Sequence, residues 1–284
     1  MSAPLDFLRL FAGLLRSAGI RFAITSGMAC VHYGLQQTTK DSDWIIAPED
    51  ISKLRELLIR LEAETPPWRI SYRSIFGAPL DTEYMAHGWT SHLLVTDPDG
   101  TEHKVDLFGK PPRVQSVETE PGDPDYASRH VVAMMKRTDR DRDWPIVDGL
   151  GWQLGDRKRT ESALHIQEPV RLRAEWARTP AHQRPALAAR RPLLLQLESE
   201  TDSDRLLAMV RMERTIWECV NHERYQRYTR AWKEFYRNWR AEPGWQWPTV
   251  ELFALQHSRL ATAARLHTLS TEDRKSTRLN SSHG

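Results

Sequence analysis

Cysteine is nearly absent from these 284 residues: Cys30 and Cys219 are the only two, and neither has neighbours at metal or redox spacing. That excludes a disulfide framework and a cysteine-built zinc or redox centre, and both thiols are expected reduced and half-buried. Long apolar runs are lacking too, and nothing approaches the roughly 20 apolar residues that a membrane-spanning helix needs. The N-terminal run from Leu5 to Leu15 contains Asp6 and Arg9 and so lacks a signal-peptide plan. A cytoplasmic location is expected. Neither sign of charge dominates, with 40 Lys and Arg against 38 Asp and Glu. His87, His92, His103 and His130 lack helical metal spacing; they are expected in loops or at the surface, with His87 or His92 the ones that could line a pocket.

What is present is an ordinary soluble composition, 40 % apolar and 27 % charged, in a chain long enough for two modest domains. Residues 272–284 look like the translation of a sequencing adapter and are expected to be no part of the fold, which would leave the native C-terminus outside this sequence. From Asp273 on, this segment carries three of the basic residues and one acidic residue. Without them the charges balance, so the basic isoelectric point says nothing about nucleic acid.

Hydrophobic spacing organises the first half. Asp6 can cap a helix with Leu8, Leu10, Phe11, Leu14 and Leu15 at helical intervals. A strand over Ile20 to Thr25 should pass through the Ser26-Gly27 turn into a short helix, Met28 to Tyr33, ended by Gly34. A strand at Asp43 to Ile46 and a helix at Ile51 to Glu62 follow. Further strands are expected at Ile70 to Tyr72, His92 to Thr96 and His103 to Phe108, the last two joined by the hairpin turn Asp97-Pro-Asp-Gly100. Arg129 to Arg137 should be helical, with another helix from Thr138 or Asp139 toward Leu150. The fold class expected is α+β: a small mixed sheet with helices on one face over residues 1–152, then an all-helical domain over 153–271.

The chemistry is concentrated in Asp41-Ser42-Asp43. Residues two apart in a strand share a face, with Cα atoms about 6.5–7 Å apart. Such a pair can ligate divalent ions about 3.5–4 Å apart, the arrangement used for displacement at phosphorus. Asp106, set among Val105, Leu107 and Phe108, must be solvated, paired or metal-bound. Lys104 is expected on the opposite face and so not to pair with it, which leaves a metal or a partner from elsewhere. As a ligand, Asp106 would complete the metal site and help deprotonate an incoming hydroxyl. Mg²⁺ or Mn²⁺ suits an all-oxygen site of this kind, and Ser26-Gly27, at a strand-to-helix junction, suits phosphate. The longer acidic run Asp139-Arg-Asp141-Arg-Asp143 begins like a calcium loop, but Trp144 and Leu150 stand where that loop needs Gly and Glu. It is read as a helix cap with local charge pairing.

The series Phe22-Ala-Ile-Thr-Ser26-Gly27-Met-Ala29, Tyr33-Gly34 and Thr39-Lys-Asp41-Ser-Asp43-Trp-Ile-Ile resembles the signature of the nucleotidyltransferase superfamily of DNA-polymerase-beta type. The likeness is to its abortive-infection toxin-like branch and related bacterial members. Asp106 matches the later acidic residue of that pattern, and Lys136-Arg-Thr-Asp-Arg140-Asp-Arg-Asp143-Trp is similar to a basic element many members carry after it. The resemblance spans about residues 18–150. It implies metal ligation by Asp41 and Asp43, a ligand or base role for Asp106, phosphate contacts from Ser26 and Gly27, substrate binding at Thr39, and a triphosphate contact from Lys136. Ser26 replaces a glycine of the pattern, and Ser42 an apolar residue, which should make that strand less buried. The implied reaction moves a nucleotidyl group from a nucleoside triphosphate to a hydroxyl of RNA such as a tRNA end, a protein side chain, or a small molecule such as an aminoglycoside.

A different class of reading comes from the later helix, expected over Asp204 to Trp239. Tyr225, Tyr228, Trp232, Phe235, Tyr236 and Trp239 alternate there with a cationic stripe from Arg224 to Arg240, the chemistry of single-stranded RNA binding. An inactive module holding RNA or a protein partner is therefore the alternative. The plainer reading of the same helix puts its aromatic side in the core and its arginines in solvent. Trp245-Gln-Trp247-Pro is expected to be a packed turn closing that helix.

Overall fold

A computed structural model describes residues 3–73, 77–240 and 252–263. They divide into two compact units. The first takes residues up to Met28, Thr39–Pro112 and the chain from Gln226 on; the second takes Ala29–Thr38 and Arg113–Tyr225. The position 152/153, expected as a boundary, lies inside a helix (Trp144–Asp156). The expected Trp245–Trp247 turn and residues 272–284 lie outside the described residues.

In chain order the elements are α1 (Ala3–Ser17), β1 (Phe22–Thr25), α2 (Ser26–His32), β2 (Asp41–Ile46), α3 (Ile51–Glu62), β3 (Arg69–Tyr72), α4 (Thr82–Ala86), β4 (Thr90–Thr96) and β5 (Glu102–Phe108). They continue with β6 (Thr119–Glu120), β7 (Asp123–Ala127), α5 (Arg129–Met135), α6 (Trp144–Asp156), α7 (Pro169–Arg178), α8 (Arg184–Arg190), α9 (Ser203–Arg240) and α10 (Phe253–Ala263). The α+β class is as expected. The short α4 and the β6–β7 pair were not; Asp123-Pro-Asp-Tyr-Ala127 has neither alternation nor β-branched residues to announce a strand.

The first unit is built on strands in the order β3-β4-β5-β2-β1. Only β2–β5 is parallel; β1–β2, β3–β4 and β4–β5 are antiparallel. The β4–β5 hairpin closes at the Asp97–Gly100 turn, where the Gly100 N–H donates to Asp97 O at 2.9 Å and Gly100 has φ +84°, a value that favours glycine. One sheet face carries Trp44, Leu93, Val95, Val105 and Leu107, all buried. Helix α1 packs on that face, with Phe11 edge-on to Trp44 at 5.1 Å and Phe7 stacked on His103 at 3.8 Å. Helix α3 buries Leu54, Leu57, Leu58 and Leu61, the stripe its spacing requires.

The exposed edge of β3 is covered by side chains. Glu62 accepts from the Ile70 N–H at 3.4 Å and from Phe253 N–H at 2.8 Å, while Gln256 accepts from the Tyr72 N–H at 3.1 Å. Edge donors that would otherwise pair with another chain are thereby used. Phe253, fully buried on α10, stacks on Tyr72.

The second unit packs Leu164, Ile166, Leu172, Trp176, Leu187, Leu194, Leu206 and Val210 into one cluster. Arg191, 1 % exposed, lies beside it and is fully engaged, by Glu213 and by the carbonyls of Ala163 and Ile166. Neither cysteine is in a disulfide and neither is half-buried as expected: Cys30 is buried and Cys219 exposed.

Candidate active site

Strand register assembles the acidic residues. In the parallel pair β2–β5, Asp41 faces Lys104 and Asp43 faces Asp106; in β4–β5, His92 faces Asp106; in β1–β2, Thr25 faces Asp43. Directly paired residues share a sheet face, and so do residues two apart in one strand. Thr25, Asp43, Asp106 and His92 therefore form one row across four strands, with Asp41 and Lys104 in the next row on the same face. Both β2 aspartates and Asp106 are half-buried; Asp43 lies between buried Ser42 and Trp44, and Asp106 between buried Val105 and Leu107, all on the other face.

Two expectations need correction here. Lys104 is two residues from Asp106, not adjacent to it, so the strand period places both on one face; Lys104 Nζ stands 4.0 Å from Asp41 Oδ1. Ser42 does not loosen its strand. It is only 7 % exposed, and its hydroxyl donates to Lys104 O at 3.0 Å, satisfying a polar group on the buried face.

Asp106 has two partners, neither of which the spacing of its own strand could show. Its Oδ1 accepts from Arg73 Nη1 at 2.9 Å and lies 2.7 Å from His92 Nδ1. Arg73 follows β3 directly and continues the ladder, its N–H donating to His92 O at 2.9 Å. The row thus extends to five positions, with a cation at one end. His92 could have been found by counting outward from the Asp97–Gly100 turn; Arg73 had no such signal.

The residues expected to contact phosphate lie close together. Ser26 follows Thr25 directly and adopts φ +51°, the left-handed region that favours glycine, which is the residue it replaces in the resembled pattern. A Cβ on Gly27 would come within 2.5 Å of Thr39 Oγ1, so any larger residue would force Thr39 to shift. Thr39 in turn donates to Asp41 O at 3.2 Å. Ser26, Gly27, Thr39 and Asp41 are one local assembly within the first unit.

Lys136 belongs to the second unit, just past α5. It is 6 % exposed, with Nζ 3.4 Å from Asp143 Oδ1. Asp143 also accepts from Thr138 Oγ1 at 2.6 Å and Arg140 Nε at 2.8 Å. Burial acts to raise this carboxyl, but the Thr138 hydroxyl and the charges of Lys136 and Arg140 hold it below the usual range. The expected local pairing is present, whereas a cap at Thr138 or Asp139 is not: α6 begins at Trp144, after a 3-10 turn over Asp141–Asp143. The pairing wins because Asp143 is buried and must be satisfied.

His130 was expected in a loop or at the surface and instead lies in α5, facing buried His165 at 2.7 Å, Nδ1 to Nε2. His87 lies in the turn after α4 as expected, bonded to Glu83 O.

The donor set on the sheet is anionic and all-oxygen, the chemistry that Mg²⁺ or Mn²⁺ takes. Asp41 Oδ1 is buried without a hydrogen-bond partner, a cost that a cation would remove. Among the described residues, however, no three His, Cys, Asp or Glu side chains are already gathered as a metal-ligating group. Asp106 has given Oδ1 to Arg73 and His92 instead. The residues fit such an ion chemically, provided that Asp106 exchanges partners.

No family model and no curated protein matches the chain. A solved structure from H. pylori described as a "putative nucleotidyltransferase" is similar over 78 % of this chain and 98 % of its own, at 11 % identity and a TM-score of 0.35. A likeness at that level carries no weight for the site. No helix among the described residues is long and apolar enough to cross a membrane.

Proposed function

We propose that this chain transfers a nucleotidyl group from a nucleoside triphosphate to an acceptor hydroxyl. One observation carries the reading: Asp43 and Asp106 are paired in the β2–β5 register with Asp41 two residues away, so that three carboxylates share one half-buried face.

Asp41, Asp43 and Asp106 would hold a divalent ion, Mg²⁺ or Mn²⁺, which when bound supplies charge neutralisation for the phosphates and acidifies a nearby hydroxyl. Ser26, Gly27 and Thr39 would bind the phosphates, since a glycine packed against a threonine lets backbone approach the ligand closely. Asp106 would accept the proton of the attacking hydroxyl through Oδ2, since Arg73 and His92 both engage Oδ1. The acceptor oxygen then bonds to the α-phosphorus as the bond to pyrophosphate breaks. Lys136 as a triphosphate ligand would have to leave Asp143, so that part of the reading is the costliest.

Titration calorimetry with each nucleoside triphosphate and Mg²⁺ tests the proposal. Binding is expected in the wild type and its loss in Asp41→Ala and Asp106→Ala. Wild-type protein that binds none of the nucleotides would sink it. Incubation with labelled triphosphates, total cellular RNA and protein then identifies the acceptor class by which fraction gains label.

The alternative, an inactive module that binds RNA through α9, has less support. Arg227 and Arg230 are exposed. The aromatic side is mostly closed: Tyr225 is 54 % exposed, but Tyr228 packs on Trp89 at 4.3 Å and Trp232 is buried, which leaves neither of these two rings open for base stacking. The side chains of Phe235, Tyr236 and Trp239 lie outside the described set.

A further inference from the structure

We infer that Arg73 is an exchangeable counter-ion: it holds Asp106 while the site lacks metal, and it passes to the triphosphate when metal and nucleotide bind together. This rests on the nucleotidyl-transfer reading and adds a substrate-binding residue that the resembled pattern does not include.

The geometry supplies the reasons. The Arg73 backbone is tied to β4 through its N–H bond to His92 O, which keeps the guanidinium at the end of the acidic row. Its side chain is 19 % exposed and that of Asp106 16 %, so neither charge is well solvated. A divalent ion drawing on Asp106 would compete with Arg73 for the carboxylate. Displaced from it, Arg73 would be a poorly solvated cation without a partner, which is strongly unfavourable. The nearest remedy is an anion entering the same face. A triphosphate suits a guanidinium well, because the planar fork binds two phosphate oxygens at once. The other cation of the face, Lys104, is nearly half exposed and needs no such remedy.

Exchange of this kind couples the two ligands. Metal alone must displace Arg73 with no compensation, whereas metal with nucleotide gives the guanidinium a new partner. Binding of the pair is then favoured over either alone, and the coupling is reciprocal.

The test measures Mn²⁺ binding, by the loss of the free-ion electron paramagnetic resonance signal, and nucleotide binding by calorimetry, with thermal melts to confirm folding. In Arg73→Gln, Mn²⁺ alone should bind about five- to tenfold more tightly because Asp106 is released, and the Mn²⁺–nucleotide complex about tenfold more weakly. Arg73→Lys keeps an ion pair and guards against a folding defect. It should bind the complex at least about threefold more weakly than wild type, because an ammonium lacks the fork. If either affinity is unchanged in folded Arg73→Gln, or if Arg73→Lys binds the complex as wild type does, the exchange is overturned while nucleotidyl transfer stands. Wild type that binds neither Mn²⁺ nor nucleotide overturns both.

Discussion

Asp43 and Asp106 stand directly opposite one another in the parallel register of β2 and β5, two carboxylates side by side on one sheet face. Like charges in that relation oppose folding by a few tenths to about 1 kcal/mol. Asp43→Asn should therefore raise the melting temperature slightly while lowering nucleotidyl transfer by about 10²-fold or more, the scale on which a group that stabilises transition-state charge acts. Label transfer measured beside a melt checks both signs. A variant that is less stable and equally active would assign the pair to structure alone.

Gly27 and Thr39 leave no room for a side chain between them. Gly27→Ala places Cβ 2.5 Å from Thr39 Oγ1, and overpacking of this kind costs about 1–3 kcal/mol. Thr39→Ala in the same chain removes Oγ1 and should recover part of the loss in urea unfolding. Equal stabilities for Gly27→Ala and wild type would show that the contact relaxes without cost.

Ser26 is held at φ +51°. Backbone in that region is strained for a residue with Cβ by roughly 1 kcal/mol or more, while glycine adopts it freely. Ser26→Gly is expected to stabilise the protein by about 0.5–1 kcal/mol in denaturant titration. Nucleotide affinity distinguishes a second role: a fall despite higher stability would show that the Ser26 hydroxyl itself contacts phosphate.

Lys136 and Asp143 form a buried pair. Removing one partner of such a pair costs about 3–5 kcal/mol, because the other charge stays buried. Thr138 and Arg140 still hold Asp143, so Lys136→Met should fall at or below the bottom of that range. If Lys136→Met folds normally yet loses nucleotide binding, the lysine serves the triphosphate rather than the fold.

His130 and His165 give the second unit a defined acid response. Burial first, then Arg190, push His130 from 6.5 down to about 4, and burial with Arg137 holds His165 well below its usual value. The unfolded chain thus takes up protons below pH 6.5 that folded His130 refuses until about pH 4, and folded His165 resists protonation in the same direction. Stability present above pH 6.5 is lost as pH falls through that window, by up to about 1.4 kcal/mol per pH unit for each group. Thermal melts across pH 4–7 should show this slope, and His130→Gln should flatten it; an unchanged slope would place the proton uptake elsewhere.

Much of the first unit is legible from local pattern. Helices α1 and α3 follow their leucine spacing, and the β4–β5 hairpin follows from Asp97-Pro-Asp-Gly100. Because that turn is local, counting back from it already sets His92 against Asp106. The β2–β5 pairing has no such ruler. More than fifty residues separate the two strands, and parallel neighbours are joined by no turn that fixes their register. Lys136 is similar: its sequence neighbours suggest a solvated or phosphate-bound lysine, and only packing decides that it is buried on Asp143.

For this protein the sequence by itself determined which residues share a strand face, since alternation is a property of the extended backbone. It put Asp41 with Asp43, and it marked Asp106 as a carboxylate that needs a partner. Tertiary structure alone decided that Arg73 is one of its partners. Arg73 reaches Asp106 across an intervening strand, through a register set by core packing on the opposite face, and no local preference in either segment encodes that meeting.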